Sequence, residues 1–248
     1  MNNGRSAIAG FLSAVGTTRA VHGLLRRHPP GGAPRWERAN HAGRTVHLQA
    51  GPAAAAGAAL GAVACEGRGA AVVATVAAAV CGAYDDVRGD HRRGFRAHLG
   101  ALRDGEVTSG AVKLFGIGAA GLVAGALLKE RPLDRALAGV VIAGTAHLVN
   151  LVDVRPGRAA LAVLALGAPG LSRGALAAAP MGAAAAVVAD DLGERVMLGD
   201  AGAHALGAAL GTAVAAGSGR LGLACHAAGL IVAAGFGDRV SRLARSPV

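Results

Sequence analysis

Residues 69–84 read GAAVVATVAAAVCGAY and run without a charge into Asp85-Asp86-Val87-Arg88. The run is too long for an ordinary strand and rich in alanine, the strongest helix former. Its length approaches the roughly 17–20 apolar residues that cross a bilayer core. In lipid such a segment is helical, because its backbone N–H and C=O groups have no water to pair with. The helix then ends on two adjacent carboxylates, which repel each other and resist desolvation at a lipid border.

The rest of the chain repeats this pattern. Of 248 residues, 53% are hydrophobic and only 16% charged, against about a quarter charged in a soluble domain. The charges fall in short clusters between Ala/Gly/Val/Leu runs, which argues against a soluble Ala-rich bundle. The 40 glycines suit close helix–helix approach in a bilayer. The expected fold is all-α: a polytopic transmembrane helical bundle of about eight or nine spans, one integral membrane domain over 1–248. Spans are expected at 5–24, 50–65, 69–84, 112–128, 133–151, 159–171, 174–189, 201–217 and 219–236. The first is read as a retained helix, since no signal-peptide n-region and cleavage site are evident.

Net charge is +10 and pI about 11.2. No patch interleaves basic and aromatic residues, so nucleic acid is not an expected partner. The excess reads instead as cytoplasmic arginine bias and attraction to anionic membrane lipids. Lysine occurs only at Lys113 and Lys129, a preference for arginine that suggests a GC-rich bacterial genome and a multi-pass protein of the bacterial plasma membrane. Cys65, Cys81 and Cys225 lack metal or disulfide spacing and read as small packing residues.

Assigning alternate loops to opposite sides puts sixteen Lys/Arg on one side and six on the other, which makes the first side cytoplasmic. Three polar segments then share the cytoplasmic face: DDVRGD (85–90), NLVDVRPGR (150–158) and MLGDAGAHALG (197–207). Acidic residues beside spans are expensive and mark functional sites by default. The carboxylates to bring together are Asp85, Asp86, Asp153 and Asp200. Such oxygen ligands suit Mg²⁺, which binds through one or two carboxylates plus substrate phosphates. Arg88, Arg92, Arg93 and Arg96 follow the aspartate pair and are candidate phosphate contacts. Each signal also has a local explanation: an Asp–Arg pair at a helix end for 85–88, and helix capping for Asn150, Asp153 and Asp200. The nine histidines do not cluster, and His147 and His204 read as packing or helix-end residues.

Taken together, the segments resemble the polyprenyl-phosphate N-acetylhexosamine-1-phosphate transferase superfamily, which includes phospho-N-acetylmuramoyl-pentapeptide transferase. YDDVRG matches the family's aspartate pair. Thr108, Gly110 and Lys113 match its Thr-x-Gly-x-x-Lys. Asn150-Leu151-Val152-Asp153 matches Asn-Leu-x-Asp, and Met197-Leu198-Gly199-Asp200-Ala201-Gly202-Ala203 is similar to Met-Gly-Asp-x-Gly-Ser. The order and approximate spacing agree over about residues 80–210. The resemblance implies Mg²⁺-dependent transfer of a sugar-1-phosphate from a UDP-sugar to a polyprenyl phosphate in cell-envelope glycan synthesis. It implies Asp200 as metal ligand, Asp85 and Asp86 at the lipid phosphate, and Asp153 and Asn150 at nucleotide or metal. Lys113 is implied at the diphosphate. Where the family continues Gly-x-Asp-Gly after Asp153, this chain reads Val154-Arg155-Pro156-Gly157, and the family's histidine-rich loop has no counterpart. Both departures touch the nucleotide end rather than the phosphate end.

Two other functions fit parts of the pattern. Asp86-x-x-x-Asp90 has the spacing of an intramembrane prenyltransferase motif, without a second such motif. A non-catalytic protein that binds or transports polyprenyl phosphate would need only the phosphate end. Homodimerisation is left open.

Overall fold

The computed structural model describes residues 3–89 and 100–246. Ten helices dominate it: α1 (Asn3–Arg27), α2 (Ala50–Ala62), α3 (Arg68–Arg88), α4 (Ser109–Leu128), α5 (Pro132–Val152), α6 (Arg158–Gly167), α7 (Ala178–Leu192), α8 (Gly199–Ala216), α9 (Arg220–Gly235) and α10 (Gly237–Arg245). One small antiparallel hairpin, β1 (Glu37–Ala39) with β2 (Thr45–His47), follows α1. The sequence gives no clear sign of this hairpin, which lies in a polar, arginine-rich linker.

Several helix starts follow from local chemistry. Thr108 caps α4, its Oγ1 accepting the Ala111 N–H at 3.1 Å, as hydroxyl residues do at an N-cap. Pro132 occupies the first position of α5, where its missing N–H costs nothing. The end of α6 is set by Pro169, which turns the chain into a 3₁₀ segment at Ala168–Ser172.

Helix α8 is central, buried almost continuously from Gly199 to Thr212. It packs against α3, α5 and α2; α1 lies over α2 and α7, α4 bridges α3 and α5, and α9 covers α5. Small residues permit these crossings. A Cβ at Gly207 would stand 2.6 Å from the Ala146 Cα, and one at Gly211 2.9 Å from the Ile142 Cα. The buried set is mainly alanine, with valine, leucine and isoleucine in the minority. Many larger aliphatics instead face outward, among them Val76 and Val80 on α3, Leu122, Val123 and Leu127 on α4, and Ile231 and Val232 on α9. Soluble monomers rarely expose apolar surface on this scale, whereas association in lipid relies on small-residue contacts.

Three helices, α3, α4 and α5, are long and apolar enough to cross a membrane, and only 33, 33 and 39% of their apolar windows is buried. Helices α9 and α10 pass the same test jointly but bend by 79°. This supports a membrane protein with a helical fold. All nine expected segments contain helix, yet α2, α6 and α7 have 13, 10 and 15 residues. At about 1.5 Å per residue they reach roughly 15–23 Å, less than the ~30 Å hydrocarbon core. The 159–171 segment in particular is a short helix ended by a proline turn rather than a regular span.

Candidate functional site

The aspartate pair ends α3, and its two carboxylates do different things. Asp86 turns toward α8: Oδ1 accepts the Asp200 N–H and Oδ2 the Ala201 N–H, both at 3.0 Å. These amides belong to the first turn of α8, where donors lack intrahelical partners and the helix dipole is positive. Neither Asp200 nor the preceding Leu198 supplies a side-chain cap; Asp86 does so from another helix. Gly199 sits at φ +60° with its Cβ position 3.0 Å from Asp86 Oδ1, so a left-handed, side-chain-free residue is needed there. One turn back on α3, a Cβ on Gly82 would overlap the Asp200 carbonyl.

Asp85 turns toward α4. Lys113 Nζ donates to Asp85 Oδ2 at 2.6 Å and also to Asp200 Oδ2. The Ser109 hydroxyl adds a hydrogen bond to Asp85. The three charged side chains are each about one-fifth exposed. Two carboxylates from separate segments thus converge on one cationic position at a half-buried end of the bundle. His204, one turn along α8, places Nδ1 2.8 Å from the Asp200 carbonyl. A carbonyl only accepts, so Nδ1 carries a proton.

Asp153 is the C-cap of α5, its N–H donating to the Asn150 carbonyl at 3.2 Å. Burial and then the nearby carboxylates of Asp191, Asp200 and Asp86 hold its pKa well above the usual carboxylate range. Asn150 is half-buried at the end of α5, and Arg88 is exposed at the end of α3. Arg92, Arg93 and Arg96, with Asp90 of the alternative motif, lie outside the described residues.

Two contributors were not singled out from sequence. Arg38, on β1, donates from Nη2 to the Asp86 carbonyl at 2.5 Å. The hairpin also grips the segment before α8: Met197 N–H donates to the His47 carbonyl at 3.0 Å, and Asn40 Nδ2 and Arg44 Nη1 bind Glu194 at 2.6 and 3.2 Å. Asp191 is 3% exposed, accepts the Gly157 N–H, and leaves Oδ2 without a partner among the described residues. A second Asp-Asp pair, Asp190-Asp191, was its legible signal.

Among the described residues, no three His, Cys, Asp or Glu side chains form a ready-made metal cage. Mg²⁺ does not require one, because it binds through one or two carboxylates and completes its shell with waters and phosphate oxygens. Asp85 and Asp200 supply that pair, and Lys113 already places positive charge between them. The donor set therefore fits Mg²⁺, with Asp86 committed to the backbone. Compared with protein-family models and with curated proteins, the sequence matches none.

Proposed function

We propose that this protein transfers a sugar-1-phosphate from a UDP-sugar to a polyprenyl phosphate, as a multi-pass enzyme of the bacterial plasma membrane. The observation that carries this reading is the convergence of Asp85 and Asp200 on one cation position at the end of an outward-apolar bundle. In this reading the bundle has eight or nine spans, the shorter helices crossing with the turns that follow them. The acidic end is cytoplasmic, in line with the arginine excess of its loops.

An oxygen of the lipid phosphate attacks the phosphorus that bears the sugar. The bond from that phosphorus to the bridging oxygen breaks, and UMP leaves. Asp85 and Asp200 are the residues that would hold Mg²⁺, which when bound offsets charge on the transferring phosphoryl group. Lys113 exchanges its carboxylate partners for a diphosphate oxygen, keeping the site neutralised. Asp86 is a positioning residue, fixing the start of α8 and so the Asp200 side chain. Asp153 and Asn150 face the nucleotide, and Arg88, Arg92, Arg93 and Arg96 supply further phosphate contacts. Nothing in this scheme requires a homodimer.

Purified protein incubated with Mg²⁺, undecaprenyl phosphate and a panel of UDP-sugars is expected to release UMP, and Asp200→Asn to abolish that release. No UMP from any donor would overturn the proposal. The second reading, a non-catalytic polyprenyl-phosphate binder, is favoured by Lys113 filling the cation position; it requires saturable lipid binding without turnover.

A further inference from the structure

Helix α10 (237–245) reads GDRVSRLAR and leaves α9 through a 79° bend at Phe236. Two of its contacts face the bundle: the Ser241 Oγ–H donates to the Leu151 carbonyl at 2.9 Å, and Gly237 faces the Leu151 side chain. Residues 237 and 241 share one helix face. Phe236 and Leu243 lie on a different face, turned away from that contact, and Val240 borders both faces. Leu243 is 75% exposed and Phe236 52%, with Val240 half-buried.

A short helix that shows water an apolar strip is unstable unless something covers the strip, and its charges indicate what does. Arg239, Arg242 and Arg245 are all exposed, and the Arg239 guanidinium stacks 5.1 Å over the Phe236 ring at the edge of the strip. The outward apolar surface continues back onto α9 through Ile231 and Val232. With α9 along the bundle, the bend turns α10 toward the membrane plane. An apolar strip beside arginines in that plane matches acyl chains below anionic headgroups.

We propose that α10 is an in-plane surface helix, with Phe236, Val240 and Leu243 in an anionic leaflet and its arginines on the lipid phosphates. Through Leu151 and the hydrogen bond from Arg158 Nη2 to the Ser246 carbonyl, 2.8 Å, it holds the 151–158 segment, which carries Asp153, at the lipid surface. The inference rests on the membrane reading of the bundle and not on the transferase reading.

The test uses full-length protein in a Cys225→Ser background, since Cys225 is the exposed cysteine. An environment-sensitive fluorophore is placed at Leu243→Cys or at Asp238→Cys, on opposite faces of α10. The protein is reconstituted into phosphatidylcholine vesicles with or without phosphatidylglycerol, with brominated acyl chains as quenchers. In anionic vesicles the label at 243 is expected to shift to the blue and be quenched, while the label at 238 emits as in water. Replacing the three arginines by glutamine is expected to remove most of the quenching at 243. Water-like emission at 243 in anionic vesicles, equal quenching at both positions, or energy transfer between labelled copies that replaces lipid quenching would each overturn the proposal.

Discussion

Replacing Asp86 separates a positioning carboxylate from a reacting one. Its two oxygens accept the Asp200 and Ala201 N–H groups at 3.0 Å each. Asp86→Ala removes both acceptors and strands two amides in the first turn of α8. A buried donor deprived of its partner costs about 1–3 kcal/mol. The site lies at a half-buried end of the bundle, where water replaces part of the loss, so the lower end applies: about 2 kcal/mol for the pair. Asp86→Asn keeps one acceptor oxygen and is expected to cost about half as much, ~1 kcal/mol. For a chain of this size, 1 kcal/mol moves Tm by about 2–4 °C. The Ala variant should then melt about 4–8 °C below wild type and the Asn variant about 2–4 °C below, followed by thermal unfolding in detergent. An Ala variant that melts with wild type would refute the capping role, as would an Asn variant as damaged as Ala.

Other outcomes follow from the same geometry. Gly82→Ala drives a methyl into the Asp200 carbonyl and is expected to part α3 from α8, costing about 1–3 kcal/mol as other overpacked sites do; a Tm equal to wild type would count against that crossing. Asp153 holds its proton more tightly in the folded chain than in the unfolded one. Stability therefore falls as pH rises from about 4 toward the raised folded value. Asp153→Asn should be more stable than wild type at neutral pH, with the difference vanishing below about pH 4, as read from Tm against pH. Lys113→Met removes the cation that Asp85 and Asp200 share among the described residues, and Mg²⁺ should raise its Tm more than that of wild type; equal responses would argue against a shared cation position.

Much of the arrangement was legible from residue order. Uncharged runs ending on carboxylates indicated helices, and alternating charge placed DDVR, NLVD and MLGD at one end of the bundle. The structure joins Asp85 and Asp200 through Lys113 and ties Asp86 to the Asp200 and Ala201 amides, with Asp153 near enough to feel the carboxylates of Asp200 and Asp86. The separate tasks of Asp85 and Asp86 were not legible, because a carboxylate's partner depends on which way its helix faces. Asp86 meets backbone amides 114 and 115 residues away, and backbone groups leave no mark in a motif. The hairpin of 37–47 escaped notice because its strands are three residues each and carry no apolar alternation. The ends of α2 and α7 were misplaced by a few residues, α2 stopping at Ala62 and α7 running Ala178–Leu192, because Ala/Gly runs have no sharp hydropathy edge.

The central claim is that Asp85 and Asp200 support transfer of a phosphoryl group onto a lipid phosphate. Its most direct measurement supplies UDP-sugar labelled with ³²P at the sugar-bearing phosphate, together with Mg²⁺ and polyprenyl phosphate, and follows the label by organic extraction. The label should move into the lipid phase with wild-type protein and remain aqueous with Asp85→Asn or Asp200→Asn. Label that stays aqueous with wild-type protein across the donor panel, or that moves equally with the Asp200→Asn variant, would contradict it.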